Sequence, residues 1–135
     1  MIVVDTTVWI DFLEARGTPY HLHLRELIRD DAPLALTNLV YCEVLQGIVE
    51  DRAFRRTREI LRAYPILHGR GLDTFEQAAQ IFRACRRRGF TVRNTVDCII
   101  AATCLEVGAE LYQNDREFET IARVKNLRLY RPPRI

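Results

Sequence analysis

Four acidic residues stand where a carboxylate is out of keeping with its neighbours: Asp5, Glu43, Asp97 and Asp115. Asp5 ends the apolar run Ile2-Val3-Val4, and Asp115 follows Glu110-Leu111-Tyr112 after two amide residues. Glu43 interrupts the stripe Leu39, Val40, Val44, Leu45, and Asp97 opens the apolar stretch Cys98-Ile99-Ile100-Ala101-Ala102. Carboxylates drawn together in a partly dry cleft repel one another unless protons or cations neutralise them. Hard divalent cations with oxygen ligands, Mg²⁺ or Mn²⁺, are the natural solution. Such a centre suits phosphodiester hydrolysis: the metal lowers the pKa of a bound water, orients the phosphate and offsets charge on the leaving oxygen. Other chemistries lack their parts. There is no Ser/His/Asp or Cys/His set and no glycine-rich phosphate loop. The four cysteines, Cys42, Cys85, Cys98 and Cys104, have no Cys-x-x-Cys spacing, and with three scattered histidines they make a poor zinc site. They read as reduced, mostly buried small hydrophobes.

The acids can act together only if the backbone gathers them. Ile2, Val3 and Val4 are β-branched and have no polar alternation, the pattern of a strand buried on both faces of a parallel sheet. Val8, Trp9, Phe12 and Leu13 then follow at helical spacing, with Trp9 read as core. Asp5 at that junction either belongs to a site at the carboxyl end of the strand or simply caps the helix after it. Gly17-Thr18-Pro19 breaks the pattern, and a helix is expected over about 20–29. A short strand at Leu34-Ala35-Leu36 leads to the cap signal Thr37-Asn38 and a helix that carries Glu43. An Arg- and Glu-rich helix over about 51–63 and a brief strand at Pro65-Ile66-Leu67 come next. Asp73 or Thr74 is expected to cap a helix ending at Arg86-Arg87-Arg88-Gly89, an Arg run that serves as a solvated helix terminus or as a phosphate contact. Asn94 or Thr95 should start a helix that is apolar almost all round until Gly108, with Asp97 in its first turn. Glu110-Leu111-Tyr112 is a strand, Phe118, Ile121 and Ala122 mark a helix, and Leu127, Leu129 and Tyr130 give a last strand before the tail Arg131-Pro132-Pro133-Arg134. Short strands alternating with helices give an α/β chain, a three-layer α/β/α sandwich with a short, mainly parallel central sheet. If the sheet is parallel, Asp5 and Asp115 open on one edge.

Composition agrees with a globular domain: 135 residues, 48% apolar and 28% charged, expected to form a single domain over 1–135. The apolar opening lacks the basic flank and cleavage site of a secretory signal, and no segment approaches the ~20 apolar residues of a membrane span. A soluble, cytoplasmic protein is expected. The net charge of +2 says little about partners, but 19 of the 20 basic residues are Arg, with Lys125 the exception. Arg suits bidentate phosphate contact and aromatic stacking, although a coding bias would give the same ratio.

Asp5-Thr6-Thr7-Val8-Trp9-Ile10, Glu43 within a helix, the run from Thr91-Val92-Arg93-Asn94 through Thr95-Val96-Asp97-Cys98 to Ile99-Ile100-Ala101-Ala102, and Asn114-Asp115-Arg116-Glu117-Phe118 together resemble the PIN-domain family. Within it they are most similar to the VapC toxins of bacterial type II toxin–antitoxin operons, in the right order over essentially the whole chain. The resemblance implies a Mg²⁺- or Mn²⁺-dependent endoribonuclease that cuts structured RNA such as tRNA or rRNA. It also implies a VapB-type antitoxin that wraps the toxin and blocks the acidic site, and a homodimer. By the same resemblance Asp5, Asp97 and Asp115 are metal ligands, Glu43 is a ligand directly or through water, and Thr7 orients Asp5 or a water. Close relatives often carry Asp-x-Asp-Phe where this chain has Asp115-Arg116-Glu117-Phe118, so Glu117 brings a longer carboxylate to that place. Arg93, just before the Asp97 helix, either contacts RNA phosphate or is a surface charge.

Two other readings use the same acids. A catalytically idle nucleic-acid-binding domain would keep them for structure alone and would gain no stability from Mn²⁺. A phosphate-accepting receiver domain is disfavoured, because Lys125 lies beyond the last acid and no mid-chain strand ends in a phosphorylatable Asp.

Overall fold

The computed structural model describes residues 1–133; Arg134, expected in the tail, lies outside them. Five strands form one sheet: β1 (Ile2–Val4), β2 (Leu34–Thr37), β3 (Ile66–Leu67), β4 (Glu110–Tyr112) and β5 (Leu129–Tyr130). Seven helices connect them: α1 (Thr6–Leu13), α2 (Pro19–Arg29), α3 (Asn38–Gln46), α4 (Asp51–Arg62), α5 (Leu72–Arg87), α6 (Thr95–Val107) and α7 (Arg116–Val124). Every strand pair is parallel, in the order β3-β2-β1-β4-β5. The three-layer α/β/α expectation therefore stands, with the sheet wholly parallel.

The strand at the centre is the one the sequence marks most strongly. Val3 and Val4 are fully buried, and β1 pairs with β2 on one side and β4 on the other. Parallel strands need crossover helices, and right-handed crossovers put α1–α4 and α5–α7 on opposite faces of the sheet. The contacts follow that division, α1 with α2 and α3, and α5 with α6 and α7. Strand order reverses at β1: the chain runs outward through β2 and β3, then returns to the other side with β4. The crevice at the carboxyl ends of β1 and β4 is thus the place where an open α/β sheet accepts a ligand.

The caps that position this edge are largely local. Thr37 accepts a hydrogen bond from the Val40 amide, and Asn94 accepts one from the Val96 amide. Gly108 ends α6 in the left-handed region at φ 65°, which a glycine adopts without strain. The start of α5 differs from expectation. It begins at Leu72, after Gly71 at φ 62°, with no side-chain cap, so neither Asp73 nor Thr74 plays that part. Thr74 is instead buried; its hydroxyl accepts from the Arg70 amide at 2.6 Å and donates to Glu106, so a tertiary contact with α6 takes the group that would have capped the helix. The last strand starts at Leu129, and Leu127 contributes to the core from the loop before it. Trp9 is fully buried, and of the cysteines only Cys42 is exposed. Burial pushes the Cys98 and Cys104 thiols up to about 12, which keeps them protonated and unreactive at neutral pH.

Candidate active site

Asp5 is where β1 becomes α1. Its amide donates to the Tyr112 carbonyl at 2.9 Å, carrying the β1–β4 pairing one residue past the strand. Its carboxylate turns back as the cap of α1, accepting from the Thr7 amide at 3.4 Å and the Thr7 hydroxyl at 3.0 Å. Capping and membership of an acidic cluster are therefore compatible for Asp5. The side chain is only 3% exposed. Burial pushes its carboxyl up to about 6, against the pull of the Thr7 hydroxyl and the Thr6 and Thr7 amides, and the charge of Glu43 adds to the rise.

Glu43 is half-buried on α3, one turn and a half from the cap that starts this helix at the carboxyl edge. Its Oε1 accepts from the Thr6 hydroxyl at 2.9 Å, which holds it behind Asp5. Thr7, on the other side, uses one hydroxyl for two purposes: it donates to Asp5 and accepts from the Asn114 amide at 3.2 Å. The turn after β1 is thereby pinned to the loop after β4.

A crossover helix runs antiparallel to the strands it joins, so α6 starts on the same edge. Asp97 lies in its first turn and is 7% exposed. Burial raises its carboxyl to about 8, and the neighbouring carboxylates of Glu117, Asp115 and Asp5 act in the same direction. Asp115, three residues past the end of β4, caps α7 by accepting from the Glu117 amide at 3.0 Å, and its own amide donates to Gln113 Oε1 at 2.5 Å. Glu117 Oε1 accepts from the Arg93 amide at 2.8 Å, while its Oε2 is buried without a hydrogen-bond partner.

Asp97, Asp115 and Glu117 line one open cleft of about 610 Å³, with Arg93, Asn94, Asn114, Arg116 and others around it. Asp5 sits beside Asp97, close enough for its charge to be felt there, and Glu43 stands behind Asp5. The fold thus gathers the four singled-out acids and Glu117 along one edge, three in the cleft and two behind it. Arg93 is exposed at the cleft, and its backbone rather than its side chain holds Glu117. Sequence reasoning missed Thr6, Gln113 and Arg116 as members of the site. The pair of hydroxyls after Asp5 and the amide pair before Asp115 were the available signals, since short polar side chains at strand ends commonly hold the turn.

The donors fit a hard cation. All are oxygens, and the partnerless Glu117 Oε2 beside the raised Asp97 is the arrangement that a proton or a positive ion relieves. Among the described residues, no group of three or more His, Cys, Asp or Glu side chains is arranged to hold a metal ion.

Comparison with known proteins gives a consistent result. A model of the PIN domain matches residues 2–124. Ribonuclease VapC11 of Mycobacterium tuberculosis is 34% identical over 128 residues, 94% of this chain and 96% of that protein. Among solved structures, VapBC2 from Rickettsia felis, bound to a DNA fragment from its promoter, superposes with a TM-score of 0.75 at 20% identity, covering 96% of this chain and 98% of that one. VapC20 of Mycobacterium tuberculosis, described as a Sarcin-Ricin loop cleaving toxin, gives 0.71 at 22% identity, covering 95% and 99%. At these identities the two structures speak for the fold.

Proposed function

The chain belongs to the PIN-domain family, and from that premise we propose that it is a metal-dependent endoribonuclease, the toxin of a VapBC-type toxin–antitoxin pair. The observation that carries the reading is the cleft shared by Asp97, Asp115 and Glu117 at the β1–β4 switch point, with Asp5 beside Asp97 and Glu43 tied to Thr6 behind it. In this reading Asp97 and Asp115 hold a Mg²⁺ or Mn²⁺ ion, joined by Asp5 and, directly or through water, by Glu43 and Glu117. When bound, the cation neutralises the acids and makes a water acidic enough to serve as nucleophile near neutral pH.

The protein's own groups prepare the site. Thr7 fixes the Asp5 carboxylate and ties its turn to Asn114, so that the two strand ends stay together. The Arg93 amide holds Glu117 by one oxygen and leaves the other turned inward. The raised proton affinity of Asp97 lets it take up a proton when positive charge is absent and release it when such charge arrives. Arg93 and Arg116 line the cleft and are suited to meet phosphate. The substrate is RNA, with tRNA or rRNA the expected class. The partners are a VapB-type antitoxin and a second copy of the chain, and the setting is the cytoplasm. The VapBC complexes with this fold support the antitoxin proposal. Among the described residues, no helix is long and apolar enough to cross a membrane.

The test is cleavage of RNA by purified protein with Mg²⁺ or Mn²⁺ and with chelator, in parallel for Asp97→Asn and Asp5→Ala. Cutting should require metal and vanish in both variants while they remain folded. If both variants cut as fast as the parent protein, the assignment is wrong.

A further inference from the structure

The acids use the carboxyl ends of β1 and β4; the other half of the same sheet edge, at the ends of β2 and β3, holds a second cleft. It has a volume of about 410 Å³ and is lined by Asn38, Tyr41, Arg62, Ile66 and His68. Three segments build it. Asn38 and Tyr41 belong to the first turn of α3 after β2, Arg62 is the last residue of α4, and His68 follows β3.

Arg62 is held in a defined place. Its Nε donates to the Tyr41 hydroxyl at 2.9 Å, and its guanidinium carbon stands 5.8 Å from the centre of the Tyr41 ring. A neutral phenol anchors it without cancelling its charge, and no carboxylate of the described residues lies within ion-pair distance of it. Anchored, uncompensated arginine beside an aromatic ring is the combination that binds a phosphate and its base together. Arg58 and Arg55 precede Arg62 by four and seven residues on the same side of α4, which also carries Glu59, so that face holds three arginines and one acid. Strands lie about 4.8 Å apart, which puts β3 roughly 10 Å from β1 and roughly 15 Å from β4. A single strand of RNA could cross from one cleft to the other within a few nucleotides.

Resting on the ribonuclease reading of the acidic cleft, we propose that this second cleft is an RNA subsite. An unstacked base lies against Tyr41, Ile66 and His68, Arg62 binds a flanking phosphate, and the pocket reads a nucleotide displaced from the scissile bond.

The experiment uses the full chain in an Asp97→Asn background, so that a short fluorescein-labelled single-stranded RNA of random sequence stays intact while binding is followed by anisotropy. Adding Tyr41→Ala should weaken binding at least about fivefold, since base stacking on an aromatic ring is worth about 1–3 kcal/mol. Tyr41→Phe should lose less. Arg62→Gln, an exposed substitution that leaves the fold intact, should lower the slope of log affinity against log salt by about one. In the parent background with Mn²⁺, sequencing of RNA ends should show that Tyr41→Ala flattens the base preference at one position away from the cut. Unchanged affinity, salt slope and cut pattern overturn the subsite even if the parent protein cleaves RNA. If the parent does not cleave but binding still depends on Tyr41 and Arg62, the nuclease reading fails and the subsite stands. Loss of antitoxin binding in Tyr41→Ala with RNA binding intact would assign the cleft to a protein and overturn the inference.

Discussion

Asp5→Asn should make the metal-free protein more stable while it weakens the site. The substitution keeps the shape of the side chain and its acceptor oxygen, so the cap of α1 and the hydrogen bond from the Thr7 hydroxyl survive; Asn and Asp are near equals as helix caps. What it removes is a charge that burial makes costly. The rise of the Asp5 carboxyl from 3.8 to about 6 corresponds to about 3 kcal/mol, at about 1.4 kcal/mol per pKa unit. The sign follows from linkage. Below pH about 4 both folded and unfolded chains hold the proton and no penalty exists. Between about 4 and about 6 the unfolded chain releases its proton first, so the folded state loses stability as pH rises; above about 6 the loss is complete and constant. At about 2 cal/mol/K per residue, a chain of this length changes melting temperature by roughly 3–4 °C per kcal/mol, and water in the adjoining cleft trims the effect to roughly 5–10 °C. Calorimetry or dye-monitored melting in chelator, at pH 4 and pH 8, measures it directly. Parent and variant should melt together at pH 4, the variant should melt higher at pH 8, and excess Mn²⁺ should close or reverse the gap by stabilising the parent alone. An Asn variant that melts at or below the parent at pH 8 in chelator would refute the view that Asp5 is a strained charge awaiting a counter-ion.

Three further outcomes follow from the same geometry. Glu117→Gln keeps the oxygen that accepts from the Arg93 amide and turns the partnerless Oε2 into a donor facing Asp97, so it should raise the melting temperature in chelator and weaken Mn²⁺ binding, measured by calorimetric titration. Because the Asp97 carboxyl is raised to about 8, a metal ion must displace a proton below that pH. Mn²⁺ affinity should therefore climb by up to about tenfold per pH unit between pH 6 and 8 and then level off, and a flat profile would count against Asp97 as a ligand. Thr7→Val deletes the hydroxyl that joins Asp5 to the Asn114 amide and should cost about 1–2 kcal/mol in denaturant unfolding, with a larger fractional loss of RNA cleavage than of stability.

Much of the scaffold was legible because it is set by neighbours in the chain. The unbroken β-branched run Ile2-Val3-Val4 could only be a strand covered on both faces, and it is the central one. Thr37, Asn94 and Gly108 act as the helix boundaries their residue types announce. Where the reading slipped, a contact distant in sequence had taken the group over. Thr74 would cap a helix in isolation, but Glu106 on α6 and the Arg70 amide claim its hydroxyl, and α5 starts after Gly71 at positive φ, two or three residues earlier than a cap at Asp73 or Thr74 would start it. Leu127 satisfies the apolar pattern of a strand yet reaches the core from a loop.

The acidic site divides in the same way. That Asp5 and Asp115 end strands and Asp97 opens a helix is written in local pattern, as is the Asp-Thr-Thr turn. Which acids share a cleft depends on strand order, and no local pattern encodes the reversal at β1 that sets β4 beside it. The placing of Glu43 behind Asp5 through Thr6, the tie from Thr7 to Asn114 and the unpaired oxygen of Glu117 arise between residues 24 to 107 apart in sequence or from burial by the assembled layers. Hydrogen bonds and charges act over a few ångströms in space, so periodicity can place a carboxylate on an element, and only the closed sheet can decide which other carboxylates it must face.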